Sequence, residues 1–248
     1  MQKGSCSRPV RTEVAGQVAL VTGASQGIGL AIASQLAEAG MRVWMVARRK
    51  DVLDAAAKAL GGEVHPHAVD LTDPAAREGL AAALHASPGG LDVLVHNAGV
   101  IHLGRTEQSS DDEFDEQFRA NVLAPYSLTR ALLPLLEASQ GQIVFINSSA
   151  GRSANAGVGQ FSATQHAVRA LAESLRAEVN ERGIRVTIVF PGRTATPRQA
   201  AIHDAEGKSY RPERLMQPSD VAELVLAALR LPRTAEVTEI AVRPMLKT

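Results

Sequence analysis

The sequence predicts a single α/β domain in which seven parallel strands form one doubly wound sheet with helices on both faces. Seven short segments rich in valine and isoleucine recur along the 248 residues, separated by longer segments with helical spacing. Strands that are apolar throughout are typical of a parallel sheet buried on both sides, and their alternation with helices is typical of crossover connections. No linker, low-complexity tract or internal repeat divides the chain, so we predict one domain over residues 1–248.

Most of the seven predicted strands are followed by a segment long enough to form a helix. They lie within residues 17–24, 42–48, 63–70, 91–99, 142–149, 185–192 and 236–244. Residues 1–15 form a polar N-terminal extension, and residues 194–217 are polar without clear periodicity. A loop of that length is usually functional, and we interpret it as a lid over a ligand; a passive surface excursion is the alternative.

Charge and cysteine content exclude several classes of function. Lysine plus arginine equals aspartate plus glutamate at 26 each, so no basic excess is available for nucleic acid. No apolar run reaches the length of a membrane span, and the N-terminus has no apolar core of a signal peptide. The single cysteine, Cys6, cannot form an internal disulfide, so we expect a cytoplasmic protein. The histidines have no convincing metal-binding spacing.

A glycine-rich turn, TGASQGIG, follows the first strand and leads into a helix. Glycines there let the backbone approach a pyrophosphate resting on the helix N-terminus. Their spacing, G-x-x-x-G-x-G, differs from the common dinucleotide fingerprint, and such glycines are often only turn residues. Its position between strand and helix nevertheless predicts a nucleotide site formed by Gly23, Ser25, Gln26, Gly27, Ile28 and Gly29.

The end of the second strand predicts NADP(H) rather than NAD(H) as the cofactor. The strand is followed by Arg48 and Arg49, and no acidic residue occurs before Asp51. A carboxylate at this point binds a ribose 2′-hydroxyl, whereas a guanidinium can grip a 2′-phosphate with paired hydrogen bonds. A solvated basic start to the next helix is the alternative.

Further motifs follow the later strands: Asp70-Leu71 after the third, Asn97-Ala98-Gly99 after the fourth, Ser148 after the fifth and Pro191-Gly192 after the sixth, with Asn121-Val122 in the helix before the fifth. Together with TGASQGIG, these motifs resemble the classical short-chain dehydrogenase/reductase family from about Gly16 to Met245. The resemblance implies a Rossmann fold, a small-molecule substrate and an NADP(H)-dependent redox reaction. It further implies that Asp70 and Leu71 hold the adenine. The matched residues beside the cofactor and its nicotinamide are Asn97, Ala98, Gly99, Pro191, Gly192 and Thr194.

The resemblance also assigns proton-transfer roles. Asn121 would kink its helix and hold a water of a proton relay, and Ser148 would hydrogen-bond the substrate carbonyl. Buried asparagines often serve only to satisfy backbone groups, which is the alternative for Asn97 and Asn121.

The two residues that transfer the proton in the family, a tyrosine and a lysine, are both replaced in this chain. Family members carry Y-x-x-x-K with the tyrosine thirteen residues after the serine; counting from Ser148 gives Phe161, and four residues later Gln165. Phenylalanine has no proton to donate, and glutamine carries no charge with which to favour a phenolate. Loss of a general acid typically costs ~10²–10⁴ in rate. The Gln165 amide could still hydrogen-bond a nicotinamide ribose hydroxyl.

No other side chain clearly takes over this role. Tyr126 would face another part of its helix, and Tyr210 lies in the presumed lid, from which it could swing in. We expect His166 to be a packed or interface histidine because neighbours on a helix point about 100° apart. His102 lies near enough to the Asn97–Gly99 turn to contact a ligand on the substrate side.

Three functions therefore stay open. The first is an atypical NADP(H)-dependent oxidoreductase acting on a carbonyl, alcohol or imine-type small molecule, since an iminium already carries its proton. The second is a non-redox cyclase, isomerase or lyase, or a redox-inactive binding protein, on the same fold. The third is an engineered, inactive variant of a ketoreductase.

Partners and substrate charge are less defined. The helix from near Gln160 suggests a homodimer or homotetramer, because the family uses it as a subunit contact; packing on the sheet is the alternative. Its apolar stripe comprises Phe161, Val168, Leu171 and Leu175. Cations in the presumed lid hint at an anionic or polar substrate, although solvation explains them equally well: Arg198, Lys208, Arg211 and Arg214.

Overall fold

The computed structural model describes residues 13–246, which contain one parallel sheet in the order β3-β2-β1-β4-β5-β6-β7. Each strand lies within its predicted segment, so the predicted seven-stranded doubly wound sheet is confirmed. The strands are β1 Val18–Thr22, β2 Arg42–Ala47, β3 Val64–Ala68, β4 Val93–His96, β5 Gln142–Ile146, β6 Arg185–Pro191 and β7 Glu239–Val242. Cys6 and most of the polar extension, residues 1–12, lie outside the described residues.

Eight α-helices occur in the described part of the chain. They are α1 Gly27–Glu38, α2 Lys50–Ala59, α3 Pro74–Ala86, α4 Asp111–Phe118, α5 Ala124–Ser139, α6 Gly159–Val179, α7 Pro197–Ala205 and α8 Pro218–Leu229. Strand order reverses between β1 and β4, because the chain winds outward to β3 and then returns to the other side of β1. In open α/β sheets, ligands bind at the carboxyl ends of the strands at such a switch point.

The sheet separates two apolar layers. Along β1, Leu20 packs in the layer with α3, α5 and α6, whereas Val21 packs in the layer with α1, α2 and α8. Successive side chains of a strand point to opposite faces, so a strand buried on both sides must be apolar at every position. This packing fixes where the strands end, and therefore where the loops that carry polar side chains meet.

The segment 194–217 is more ordered than a loop, so the expectation of an irregular segment was wrong over α7. Thr196 caps the helix by accepting a hydrogen bond from the Gln199 amide at 3.1 Å, and Pro197 occupies its first turn. The two ends of the segment are joined, with the Ala195 amide donating to the Met216 carbonyl at 2.7 Å. The Thr-Pro pair was a usable start signal, but no apolar stripe follows it.

The outward apolar stripe expected on α6 is shorter than predicted. Val168 is 6% exposed and belongs to the core, and Phe161 faces a cleft at the edge of the sheet. Leu171 remains 37% exposed, and Leu175 packs against the core. Packing against the sheet therefore accounts for part of the stripe.

Candidate active site

A cleft of about 460 Å³ opens where the strands end. Its walls come from the turns after β1, β2, β3, β4, β5 and β6 and from α7. All predicted site residues line it except Gly29, Asn121 and Gln165. Those that do are Gly23, Ser25, Gln26, Gly27, Ile28, Arg48, Arg49, Asp70, Leu71, Asn97, Ala98, Gly99, Ser148, Phe161, Pro191, Gly192 and Thr194.

The glycine-rich turn is shaped by close backbone approach. Gly23 and Gly27 have φ of 66° and 58°, in the left-handed region that disfavours other residues. A Cβ at Gly23 would lie 2.7 Å from Asn97 Nδ2, which donates to the Thr22 and Gly23 carbonyls at 3.1 and 3.2 Å. At the start of α1, Gln26 makes no side-chain capping bond. The first amides of α1 therefore have no side-chain acceptor, and the positive end of the helix faces the cleft that the turn lines.

The end of β2 presents positive charge to the cleft. Arg48 and Arg49 are both exposed, and Arg49 donates to Gln26 Oε1 at 2.9 Å. Opposite them, Asp70 accepts hydrogen bonds from the amide and hydroxyl of Thr72 at 2.9 and 2.7 Å. Desolvation raises the pKa of Asp70, but the Thr72 hydrogen bonds and the charge of Arg48 outweigh it and lower the pKa overall. The donor set suits a 2′-phosphate.

Ser148 and Phe161 meet at the other end of the cleft. Ser148 follows β5, and its Oγ accepts from the Ala150 amide at 3.2 Å. Phe161 lies in the first turn of α6 and lines both the cleft and a smaller adjoining cavity, the inner cavity, of about 60 Å³. The side chain at 161 is thus aimed at the reacting end but carries no proton to transfer.

Gln165 belongs to the inner cavity, not the cleft. It is 7% exposed, and its Nε2 donates to Thr164 Oγ1 at 3.4 Å. The backbone carbonyl of Gln165 accepts a hydrogen bond from Asn147 Nδ2 at 2.9 Å, and this bond ties α6 to the end of β5. The Gln165 side chain is polar, but a neutral amide supplies no charge.

Asn121 lies in a five-residue π-helical turn, Arg119–Leu123, between α4 and α5. Its side chain accepts from the Val100 amide at 2.8 Å and donates to the Val100 carbonyl at 2.9 Å and to Thr164 Oγ1 at 3.1 Å. A Cβ at Gly99 would lie 2.7 Å from Asn121 Oδ1. The side chain therefore fixes the loop after β4, as the structural alternative proposed, and the expected helix distortion is present.

The tyrosines and His166 offer no proton donor to the cleft. Tyr210 packs edge-on against His203, with ring centroids 5.5 Å apart, and Tyr126 is 48% exposed on α5. His166 is exposed, and its Nδ1 bonds the Ser162 carbonyl at 2.8 Å. The prediction that it packs inside the chain is therefore wrong, and the alternative of a subunit contact stays a prediction. None of these three residues lines the cleft.

Two other histidines have definite structural partners. His102 Nε2 lies 2.8 Å from a carboxylate oxygen of Glu116. Glu116 lines the cleft, but His102 does not. His96 is 5% exposed, bonds Thr129 Oγ1 at 2.7 Å and stacks on Phe145 at 4.9 Å. Burial lowers the pKa of His96 to about 3, so this side chain is neutral near neutral pH.

Sequence reasoning missed several residues of the cleft. The tertiary fold brings Glu116 from α4 and Arg198 from α7 into its wall, together with Asn147, Thr196, Gln199 and Ile202. Of the four cations in segment 194–217, Arg198 alone lines the cleft, and Lys208 pairs with Glu206 at 2.7 Å. Within residues 13–246, no helix is long and apolar enough to cross a membrane, and no three metal-binding side chains converge.

The parallel sheet, the switch point and the glycine-rich turn define a protein of the Rossmann class. The chain belongs to the short-chain dehydrogenase family, whose family model matches residues 17–207. An uncharacterized oxidoreductase of Staphylococcus aureus is 33% identical over 94% of this chain and 100% of its own length. The glycine betaine reductase ATRR of Emericella nidulans is 36% identical over 93% of this chain, which spans 19% of that enzyme.

Solved structures with the same fold include complexes with NADP-type cofactors. A metagenomic short-chain oxidoreductase in complex with NADP has 34% identity and a TM-score of 0.81, covering 95% of this chain and 100% of its own. A single-residue variant of actinorhodin polyketide ketoreductase with NADPH has 32% identity and a TM-score of 0.84 over 92% and 95% of the two chains. An alcohol dehydrogenase of the archaeon Thermococcus sibiricus, complexed with 5-hydroxy-NADP, has 30% identity and a TM-score of 0.83 over 94% and 98%.

Proposed function

We propose that this protein is an NADP(H)-dependent oxidoreductase that acts on an imine-type small molecule, or on a carbonyl whose proton comes from elsewhere than position 161. The observation that carries the proposal is the cleft at the switch point. It joins a glycine turn at the start of α1 to Arg48 and Arg49, with no carboxylate directly after β2. The NADP complexes of related structures support the same cofactor.

The residues of this chain would divide the cofactor between them. The glycine turn would receive the pyrophosphate, Arg48 and Arg49 the 2′-phosphate, and Asp70 the adenine end. When bound, a nicotinamide cofactor donates or accepts hydride. The walls that surround the reacting end are Ser148, Phe161, Pro191, Gly192 and Thr194.

The absence of a proton donor at position 161 favours a substrate that needs none. Reduction of a ketone places negative charge on oxygen, which a positioned donor must neutralise. An iminium carries its proton on nitrogen before hydride arrives, so a neutral amine forms without a donor. Phe161 then serves as an apolar wall, Ser148 Oγ accepts a hydrogen bond from the iminium N–H, and the Glu116 carboxylate in the same cleft attracts the cation.

A second candidate is a non-redox enzyme or a binding protein on this fold. The observation that favours it is the pair Phe161 and Gln165, neither of which can exchange a proton. This candidate keeps the dinucleotide site and predicts binding without hydride transfer to imine or ketone. Wild-type turnover with both substrates separates the two candidates.

Arg48→Gln is expected to weaken NADPH binding by about 10- to 100-fold and to leave NADH binding within about twofold, since a charge-assisted phosphate contact contributes ~1.5–3 kcal/mol. Titration of cofactor fluorescence measures both. Lys58→Gln on the following helix, α2, is the control, since Lys58 does not line the cleft. An equal loss for both cofactors would show that Arg48 does not read the 2′-phosphate.

We further propose that a second copy of the chain covers the outer face of α5 and α6. That face has a groove of about 180 Å³ lined by Tyr126, Leu133, Leu171 and Leu175 among others, and two of these residues are exposed by 48% and 37%. A molar mass in solution of two or four times 26.2 kDa is expected. Tyr126→Glu with Leu171→Glu should reduce the mass to that of one chain; a wild-type monomer contradicts the proposal.

A further inference from the structure

One cation in the cleft has no part in the nucleotide site described so far. Arg198 lies in the first turn of α7, and its Nη2 donates to the Gly99 carbonyl at 2.5 Å. It lines both the main cleft and the inner cavity behind Phe161. The guanidinium group therefore bridges α7 to the loop after β4, across the opening.

The start of α7 faces the start of α1. A Cβ at Gly27 would lie 3.1 Å from Thr196 Cγ2, the side chain that caps α7. Arg198, two residues after that cap, is thus held near the glycine turn, whereas Arg48 and Arg49 follow β2. Arg198 therefore reaches the cleft from α7, and Arg48 and Arg49 reach it from the end of β2, with Arg198 and Arg48 near enough to repel each other.

The charge of Arg198 is not balanced by an acid. Among the described residues, none places a carboxylate within 4.0 Å of it, whereas Arg193, just before the segment, pairs with Glu206 at 2.8 Å. Desolvation of its guanidinium, followed by repulsion from Arg48, lowers the pKa of Arg198, even though the residue as a whole is exposed. Like charges that share a cleft are stabilised when an anion enters it.

A structural role alone does not require this residue. A backbone carbonyl accepts one hydrogen bond, which a neutral amide could supply, whereas a guanidinium has five N–H donors. The Gly99 bond engages Nη2 only, so the remaining donors stay available. A planar guanidinium with several donors is well matched to phosphate oxygens.

We propose that Arg198 binds the pyrophosphate of the dinucleotide and thereby holds α7 over the cleft. The inference rests on the proposed function, which it deepens by adding a cofactor-binding residue from the substrate side. Arg198 and Arg48 then have separable effects. Arg198 contributes to any dinucleotide, and Arg48 contributes only to one that bears a 2′-phosphate.

The test measures the affinity of wild type and Arg198→Gln for NADPH, NADH and inorganic pyrophosphate. Arg198→Gln is expected to weaken NADPH and NADH by a similar factor of about 10 to 30, leaving their ratio unchanged, and to abolish pyrophosphate binding. Arg198→Lys should retain part of the affinity as a point charge. Arg211→Gln is the matched control, since Arg211 is exposed in the same segment and does not line the cleft.

The outcomes separate this inference from the proposed function. Unchanged affinities in Arg198→Gln overturn the inference while NADPH binding by wild type leaves the function intact. Loss of NADPH affinity alone, with NADH unchanged, assigns Arg198 to the 2′-phosphate and also overturns it. Arg198-dependent binding of pyrophosphate without binding of either dinucleotide refutes the function and, with it, a role of Arg198 in holding a dinucleotide. Wild type that binds none of the three refutes both.

Discussion

The double substitution Phe161→Tyr with Gln165→Lys is expected to raise NADPH-dependent reduction of a ketone by about 10²–10⁴-fold. The ring of Phe161 already lines the cleft, as Ser148 does, so a hydroxyl added to it reaches the reacting end. A lysine ammonium at 165 favours the phenolate and lowers the pKa of the new tyrosine from its usual value near 10. Reduction of an iminium of the same carbon skeleton should change little, because that substrate needs no donor.

Three variants control this result. Phe161→Tyr alone should give a smaller gain, and Gln165→Lys alone should give none, because it adds charge without a donor. Ser148→Ala in the double variant should remove most of the gain. Gln165 is buried, so the free energy of unfolding of each variant must be measured alongside. Wild type that reduces the ketone as fast as the double variant would show that another group donates the proton.

His96 is expected to make the protein less stable in acid. Its pKa in the fold is about 3 against 6.5 for an ordinary histidine, so between these values the unfolded chain binds a proton that the folded chain does not. Stability from this residue is therefore complete above about pH 6.5 and falls as the pH decreases toward 3. At about pH 4 the loss amounts to roughly 3 kcal/mol, at about 1.4 kcal/mol per pH unit.

Denaturant unfolding near pH 7 and near pH 4 measures this effect. The free energy of unfolding of wild type should fall by roughly 3 kcal/mol more than that of His96→Gln, which cannot titrate. His166→Gln is the matched control and should follow wild type, because His166 is exposed. Parallel pH dependence in wild type and His96→Gln would mean that His96 is protonated in the fold.

The sheet was predictable because its signals are local. The inner strands are short apolar runs, and a parallel strand buried on both faces is the structure that such runs, alternating with helices, favour. The glycine turn was predictable for the same reason, since Gly23 and Gly27 adopt a backbone conformation that few other residues accept. The helix α7 was missed because its apolar residues do not line one face, and its cap and proline were the only local signals.

The remaining parts of the site depend on tertiary contacts. Nothing around Glu116 indicates that α4 approaches the cleft, and although the segment of Arg198 was predicted to be a lid, the sequence did not distinguish Arg198 from the three other cations there. The four-residue spacing of Phe161 and Gln165 places both on one face of a helix, but it does not predict which space each side chain lines. Phe161 lines the cleft, whereas Gln165 lines only the inner cavity. The apolar stripe that was expected to contact another subunit lies on the same helix. Two of its residues are used within the chain, because Phe161 lines the cleft and Val168 belongs to the core.

Titration of the wild-type protein with NADPH and NADH tests the central claim most directly. Arg48 and Arg49 at the end of β2, without an acid, predict that NADPH binds at least about tenfold more tightly than NADH, a difference of about 1.4 kcal/mol. Equal affinities would contradict the assignment of the 2′-phosphate to these arginines. Absence of binding to either cofactor would contradict the account of this cleft as a dinucleotide site.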